Sequence, residues 1–271
     1  MSEGLVLLAG AALLAGAWFA LGPLIRGLTQ RAAAKREAEP VPASWWPLIA
    51  REVPAVAGLD RDQRTRLLRA MRDLLTTCHW EGCGGLVLTE EMQLVIAAQA
   101  CLITLERPGE LYPALHTILV YPSTFVPRRA VDLRKWHVTR EHDPGQPTLG
   151  EAWSDGIVVL AWDDAGAGAA NPADGRNVVY HEFAHQLDFV HHLTDPDADA
   201  IDPLRQAIRA SYDRLCEAVA AGSPTVLDRY AVTDEAEFFA VATEVYFERK
   251  QALQAVEPRL VKELERFYEG K

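Results

Sequence analysis

The chain has 271 residues, 49% of them apolar, which is enough for one large domain or two small ones with a sizeable core and excludes disorder as the default reading. Its net charge of −11, with no dense Lys/Arg cluster in the body of the chain, argues against direct nucleic-acid binding, which needs a basic face to displace phosphate counterions. Four cysteines (Cys78, Cys83, Cys101 and Cys216) are too few for a disulfide scaffold and agree with a reducing compartment.

Leu5 to Ile25 is uncharged and almost wholly apolar. At about 1.5 Å per helical residue it can cross a hydrocarbon core of about 30 Å. Only Glu3 is charged before it, whereas Arg26, Arg31, Lys35 and Arg36 follow. The positive-inside rule then places the C-terminal side in the cytoplasm. The expected organisation is a transmembrane anchor at 1–25, a juxtamembrane linker at 26–43 and a catalytic domain at 44–271. This makes the chain a single-pass protein of the inner (cytoplasmic) membrane, with its body in the cytoplasm.

Beyond the linker, helical and extended signals alternate. Arg61 to Thr77 carries Leu67, Leu68, Met71, Leu74 and Leu75 at helical spacing. Cys78 and Cys83 flank His79, a pattern that fits either a second metal site or, on the plainer reading, a turn closed by Gly82, Gly84 and Gly85. Thr89 is a helix cap, with Glu90 and Glu91 in the first turn of a helix running to Leu105. Thr117–Tyr121 and Gly156–Trp162 read as strands, and the Gly/Ala/Asp-rich stretch from Ala165 to Gly175 as a loop. Helices follow over Asn177–His192, Leu204–Ala221, Asp234–Lys250 and Glu257–Tyr268. Helices outweigh strands and the strands cluster before residue 163, so the expected class is α+β, mostly helical with a small sheet, rather than a parallel α/β sheet.

The chemistry concentrates in His181-Glu182-Phe183-Ala184-His185. Histidines four apart on a helix project from one face, the geometry two imidazoles need to share one cation. Glu182 is placed to take a proton from a water that the metal activates. A catalytic zinc usually has three protein ligands, so a third must come from elsewhere. His191 stands where a third histidine follows a glycine turn in one known pattern, but the glycine is absent, and His191 and His192 read as helix-end polar residues. On the later helix Glu237 faces inward among apolar neighbours, and Glu244 lies seven residues on, along the same face. Burying carboxylates is costly unless they are paired or metal-bound. Glu237 is therefore a ligand candidate and Glu244 a supporting or ion-pairing one, against the alternative of two solvated glutamates. Asp195-x-Asp197-x-Asp199 begins like a calcium loop but lacks its glycine and its glutamate, and Gly166-x-Gly168 lacks the third glycine of a nucleotide loop, so both read as loop chemistry.

Glu81-Gly-Cys-Gly-Gly-Leu, Leu88-Thr-Glu-Glu-Met, Ile96-Ala-Ala-Gln-Ala-Cys101, Ile118-Leu-Val-Tyr-Pro, Gly150-Glu-Ala-Trp-Ser, His181-Glu-Phe-Ala-His-Gln-Leu-Asp188 and Ala236-Glu-Phe-Phe-Ala240 together resemble the MtfA (Mlc titration factor A) family over residues 42 to 268. The last two segments are also similar to the catalytic domain of anthrax lethal factor, a gluzincin-type zinc protease. The resemblance implies a zincin-like metallopeptidase domain binding one Zn2+ through His181, His185 and Glu237, with Glu182 as general base. It also implies that Tyr230, seven residues before Glu237, stabilises the oxyanion; on residue grounds alone Tyr230 reads as a packed aromatic. Asp188, three after His185, falls on the metal-facing side, either orienting an imidazole or simply solvated. The implied activity is on peptides or proteins, with aminopeptidase action as one form and a repressor of the Mlc type, linked to sugar uptake, as a partner. The alternative is a membrane-tethered, zinc-containing binding protein that sequesters a transcriptional regulator without catalysis.

Overall fold

In the computed structural model, residues 41–107, 112–123, 156–195 and 202–270 are described. The expected anchor at 1–25, most of the linker, Gly150–Ser154, and Asp197 and Asp199 lie outside them. Among the described residues no helix is long and apolar enough to cross a membrane.

Local signals account for most of the elements. Helix α1 spans Trp45–Glu52 and leads through a 3-10 turn at Pro54–Gly58 into α2 (Arg61–Thr77). A capping box opens α2: Asp60 accepts from the Asp62 and Gln63 amides, and the Gln63 side chain accepts from the Asp60 amide. Strand β1 (His79–Gly82) precedes α3 (Glu90–Leu102), whose Met92 amide is capped by the Thr89 hydroxyl. Strands β2 (Thr117–Tyr121) and β3 (Ile157–Ala161) fall where the β-branched runs predict them. After them come α4 (Trp162–Ala170), α5 (Val178–His191), α6 (Pro203–Ala220), a 3-10 turn (Arg229–Val232), α7 (Glu235–Val256) and α8 (Pro258–Glu269).

The molecule is mostly helical with a small sheet, consistent with α+β. Three details differ from the sequence reading. The sheet, ordered β1-β2-β3, is parallel throughout, with Thr117 opposite His79 on one side and Ile157 on the other. Parallel neighbours need a long crossover, and α3 lies in the one between β1 and β2. Second, His79–Gly82 is a strand, and the expected turn is confined to Gly84 and Gly85 just after it, both with positive φ. Cys78 and Cys83 sit at the strand's two ends, about 16 Å apart along an extended chain at ~3.3 Å per residue, too far to share one ion. Third, the expected loop from Ala165 begins inside helix α4. A Cβ on Gly168 would lie 3.2 Å from both Cα and Cγ of Asn177, so this glycine serves close packing and not a turn.

These elements bury α5 almost completely: every residue from Val179 to Asp188 is buried. The helix packs against α7 and β3, with α3 and α4 alongside. Phe183, Phe238 and Phe239 are fully buried in the core on α5 and α7. A histidine motif on such a helix is held by two walls of core, which fixes its side chains as no surface helix could.

Candidate metal centre

Helix α5 starts at Asn177, whose side-chain oxygen accepts from the Val179 and Tyr180 amides. One turn in, His181 and His185 project from the same face, and their Nε2 atoms are 3.3 Å apart. Asp234 caps α7 by accepting from the Glu237 amide, which sets Glu237 in the first turn and directs its carboxylate onto the histidines. His181 Nε2 lies 3.0 Å from Glu237 Oε2, and His185 Nε2 lies 3.7 Å from Glu237 Oε1. All three residues are buried, and one ligand atom from each lies within 4.8 Å of the others.

The chemistry and spacing of this donor set fit a small divalent cation. Atoms about 2.0–2.1 Å from a tetrahedral zinc stand about 3.3–3.4 Å from one another. The His181 Nε2 separations of 3.0 Å to Glu237 Oε2 and 3.3 Å to His185 Nε2 lie near that edge, while the 3.7 Å contact of His185 is with the other carboxylate oxygen, Oε1. Two imidazole nitrogens turned on each other in a buried space, with a carboxylate beside them, call for a positive centre between them. Burial disfavours an ionised Glu237, but hydrogen bonds from His181 and His185 outweigh it and hold the carboxyl far below the usual range. Burial likewise opposes a charged His181, yet Glu237 and Glu244 overcome it and raise its pKa well above the ordinary value.

Glu244 occupies the far side of the first imidazole. Its Oε1 is 2.8 Å from His181 Nδ1, so a proton on Nδ1 donates to it, and Nε2, once the proton it shares with Glu237 is released, is the nitrogen that would face a metal. Its Oε2 accepts the Asn177 amide at 2.6 Å. The Asn177 side-chain amide then donates to Gln99 Oε1 at 2.9 Å and Glu248 Oε1 at 3.2 Å. Asn177 thus caps the metal helix and also anchors the carboxylate that orients His181. Sequence reasoning placed Asn177 only at the start of the helix and did not find Gln99 or Glu248. The legible signal was Gln99, a lone amide in a stretch otherwise of small and apolar residues, which in a buried helix needs a polar partner.

Glu182 is 2% exposed and shares its surroundings with Tyr230. The Tyr230 ring centroid is 6.1 Å from that of His181. Burial first, then the Glu237 and Glu182 carboxylates, push the phenol's pKa far up, so it remains a protonated donor. Asp188 is buried rather than solvated: its Oδ1 accepts the Thr194 amide at 2.9 Å and its Oδ2 the Thr194 hydroxyl at 2.5 Å. Burial raises its pKa, and the neighbouring His185 works in the opposite direction. His191 stacks edge-on to Phe267, 5.4 Å between centroids, and its Nε2 is 2.9 Å from Arg107 Nη2. His192 ends α5 in the left-handed region with φ 51°, a helix end made without glycine. Neither histidine joins the metal group.

The family model for glucose-regulated metallo-peptidase M90 matches residues 28–269. The chain is 37% identical over 239 residues to the uncharacterized protein slr2042 of Synechocystis sp., covering 84% of each chain. It is 29% identical over 236 residues to Mlc titration factor A of Serratia proteamaculans, covering 83% of this chain and 86% of that one. Against Mlc titration factor A of Cronobacter sakazakii it is 28% identical over 240 residues, 84% and 86% of the two chains.

Proposed function

This chain belongs to the glucose-regulated metallo-peptidase M90 family, and we propose that it is a zinc-dependent peptidase whose ligands are His181, His185 and Glu237. The observation that carries the proposal is the buried, closely grouped pair of imidazoles and one carboxylate, with a further buried carboxylate, Glu182, on the same helix. Three protein donors leave a fourth position for substrate chemistry, whereas structural zinc sites usually take four.

A zinc ion held by these donors would supply Lewis acidity, lowering the pKa of a water and polarising the scissile carbonyl. Glu182 takes the proton of the attacking water and returns it to the leaving amine. Tyr230, kept protonated by its surroundings, donates a hydrogen bond to the developing oxyanion. Glu244, held by the Asn177 amide, fixes the His181 ring and its tautomer. Strand β3 is one of the two edges of the sheet among the described residues and, unlike β1, packs on α5, which suits it to pair with an extended substrate. Aminopeptidase action is the finer form proposed, in which N-acetylated substrates resist cleavage.

The name Mlc titration factor A belongs to relatives at 28–29% identity, and on that basis a repressor of the Mlc type is a proposed partner. The apolar Leu5–Ile25 segment and the cationic residues after it support a single-pass anchor in the inner membrane with the peptidase in the cytoplasm. The test of activity is digestion of a peptide library, with free and N-acetylated members, by the purified full-length chain. Cleavage abolished by a chelator and restored by zinc supports the reading. Undiminished cleavage under chelation overturns the metal dependence, and no cleavage under any condition overturns the peptidase reading in favour of a zinc-containing binding protein.

A further inference from the structure

A cleft of about 400 Å³ opens beside the segment that leads into α5. Its walls are Asp174–Arg176, the stretch from Thr225 to Arg229, and Val245 and Arg249 of α7. In a chain of net charge −11 this cleft gathers three arginines (Arg176, Arg229 and Arg249) against two aspartates. Both aspartates are already engaged. Asp174 accepts from the Arg176 amide at 2.9 Å and the Asn171 side chain at 2.8 Å. Asp228 accepts the Tyr230 amide at 2.9 Å and pairs with Arg176 at 3.0 Å. Arg229 and Arg249 have no ion-pair partner among the described residues, and because Asp174 is engaged only by neutral donors, three arginines against two aspartates leave the lining a net formal charge of +1.

Arg249 is held there by the backbone. It breaks α7 with φ −136° and ψ 39°, without a proline or glycine to cause it. Its aliphatic stem lies against Gly175: a Cβ on Gly175 would come within 3.1 Å of Arg249 Cδ, and φ at Gly175 is +81°. The glycine therefore permits both the turn and the approach of the arginine. The Gly175 and Arg176 amides point elsewhere, donating to Glu248 Oε2 at 2.9 and 3.2 Å, so recognition in the cleft falls to the guanidiniums.

We propose that this cleft binds a small phosphorylated molecule, its phosphate gripped by Arg229 and Arg249. Two guanidiniums outside any ion pair among the described residues present more N–H donors than the two oxygens of a carboxylate can take up, whereas the three oxygens of a phosphate monoester, with a charge of about −1.5 to −2 at neutral pH, can engage both. The planar fork of arginine suits bidentate contact with phosphate oxygens. The volume falls in the range of small-molecule sites and leaves room for the organic group. The proposal does not depend on peptidase activity, because none of these residues belongs to the metal group.

The test is equilibrium dialysis of the full-length chain against inorganic phosphate at constant ionic strength. A chelator is kept present so that no metal takes up the anion. Saturable binding of one phosphate per chain is expected, with acetate at least tenfold weaker. Arg229→Ala/Arg249→Ala, which changes two exposed side chains, is expected to weaken phosphate at least tenfold while leaving the thermal melt unchanged. Absence of saturable phosphate binding, equal binding by the double variant, or acetate binding as tightly as phosphate would each overturn the proposal.

Discussion

Replacing Glu244 by Gln tests the link between the buried network and the metal centre with the smallest change of shape. In the native protein both Glu244 oxygens accept, one from His181 Nδ1 at 2.8 Å and one from the Asn177 amide at 2.6 Å. A glutamine offers one acceptor and one donor, so one of the two native donors would face an NH2 group in a buried space. Loss of a charge-assisted bond and a donor–donor conflict together predispose His181 to rotate or change tautomer. Second-layer substitutions of this kind cost about 10–100-fold in metal affinity, or about 1.4–2.7 kcal/mol. The assay is competition for zinc against a chromophoric chelator, with circular dichroism to confirm folding. Zinc affinity within twofold of the parent in a folded Glu244→Gln variant would refute the reasoning that Glu244 sets the ligand.

Three further outcomes are expected. Tyr230→Phe keeps the packing and the metal but loses the donor, so kcat falls about 10²–10³-fold with zinc content unchanged; an unchanged kcat would return Tyr230 to a packing role. Phe183→Ala empties a fully buried position on the metal helix and destabilises the fold by about 3–5 kcal/mol in urea titration, and a loss under 1 kcal/mol would mean the site collapses around it. Burial is the chief reason the Glu248 carboxyl is pushed up to about 7. A raised carboxyl favours the folded state while protonated, and that contribution is lost as pH rises from its ordinary range through about 7. Glu248→Gln should remove this slope from the stability–pH curve of the chelated protein, and an identical curve would contradict the assignment.

The residues with strong local signals were the legible ones. His181 and His185 announce themselves by spacing, and the cap residues Thr89 and Asp234 each bond as their type predicts. Glu237 and Glu244 were found by asking why a carboxylate would sit on an apolar helix face. Other features depend on contacts distant in sequence. Helix α4 is composed like a loop and is stabilised by packing, with Gly168 against Asn177. The parallel direction of the sheet is set by what the crossovers carry, and a four-residue strand such as β1 is too short to show a period. Asn177 reads as an ordinary cap until Glu244 is seen on its amide 67 residues away in sequence. The break at Arg249 has no residue type to signal it, so the cleft it lines was invisible in the sequence.

The most direct test of the central claim is peptide hydrolysis by Glu182→Gln compared with the parent at equal, measured zinc content. The side chain is nearly isosteric and is not among the three candidate metal ligands. If Glu182 moves the protons, the variant should retain one zinc per chain and lose about 10²–10⁴-fold in kcat. Parental turnover in a zinc-loaded Glu182→Gln protein would contradict the assignment of this helix as the catalytic centre.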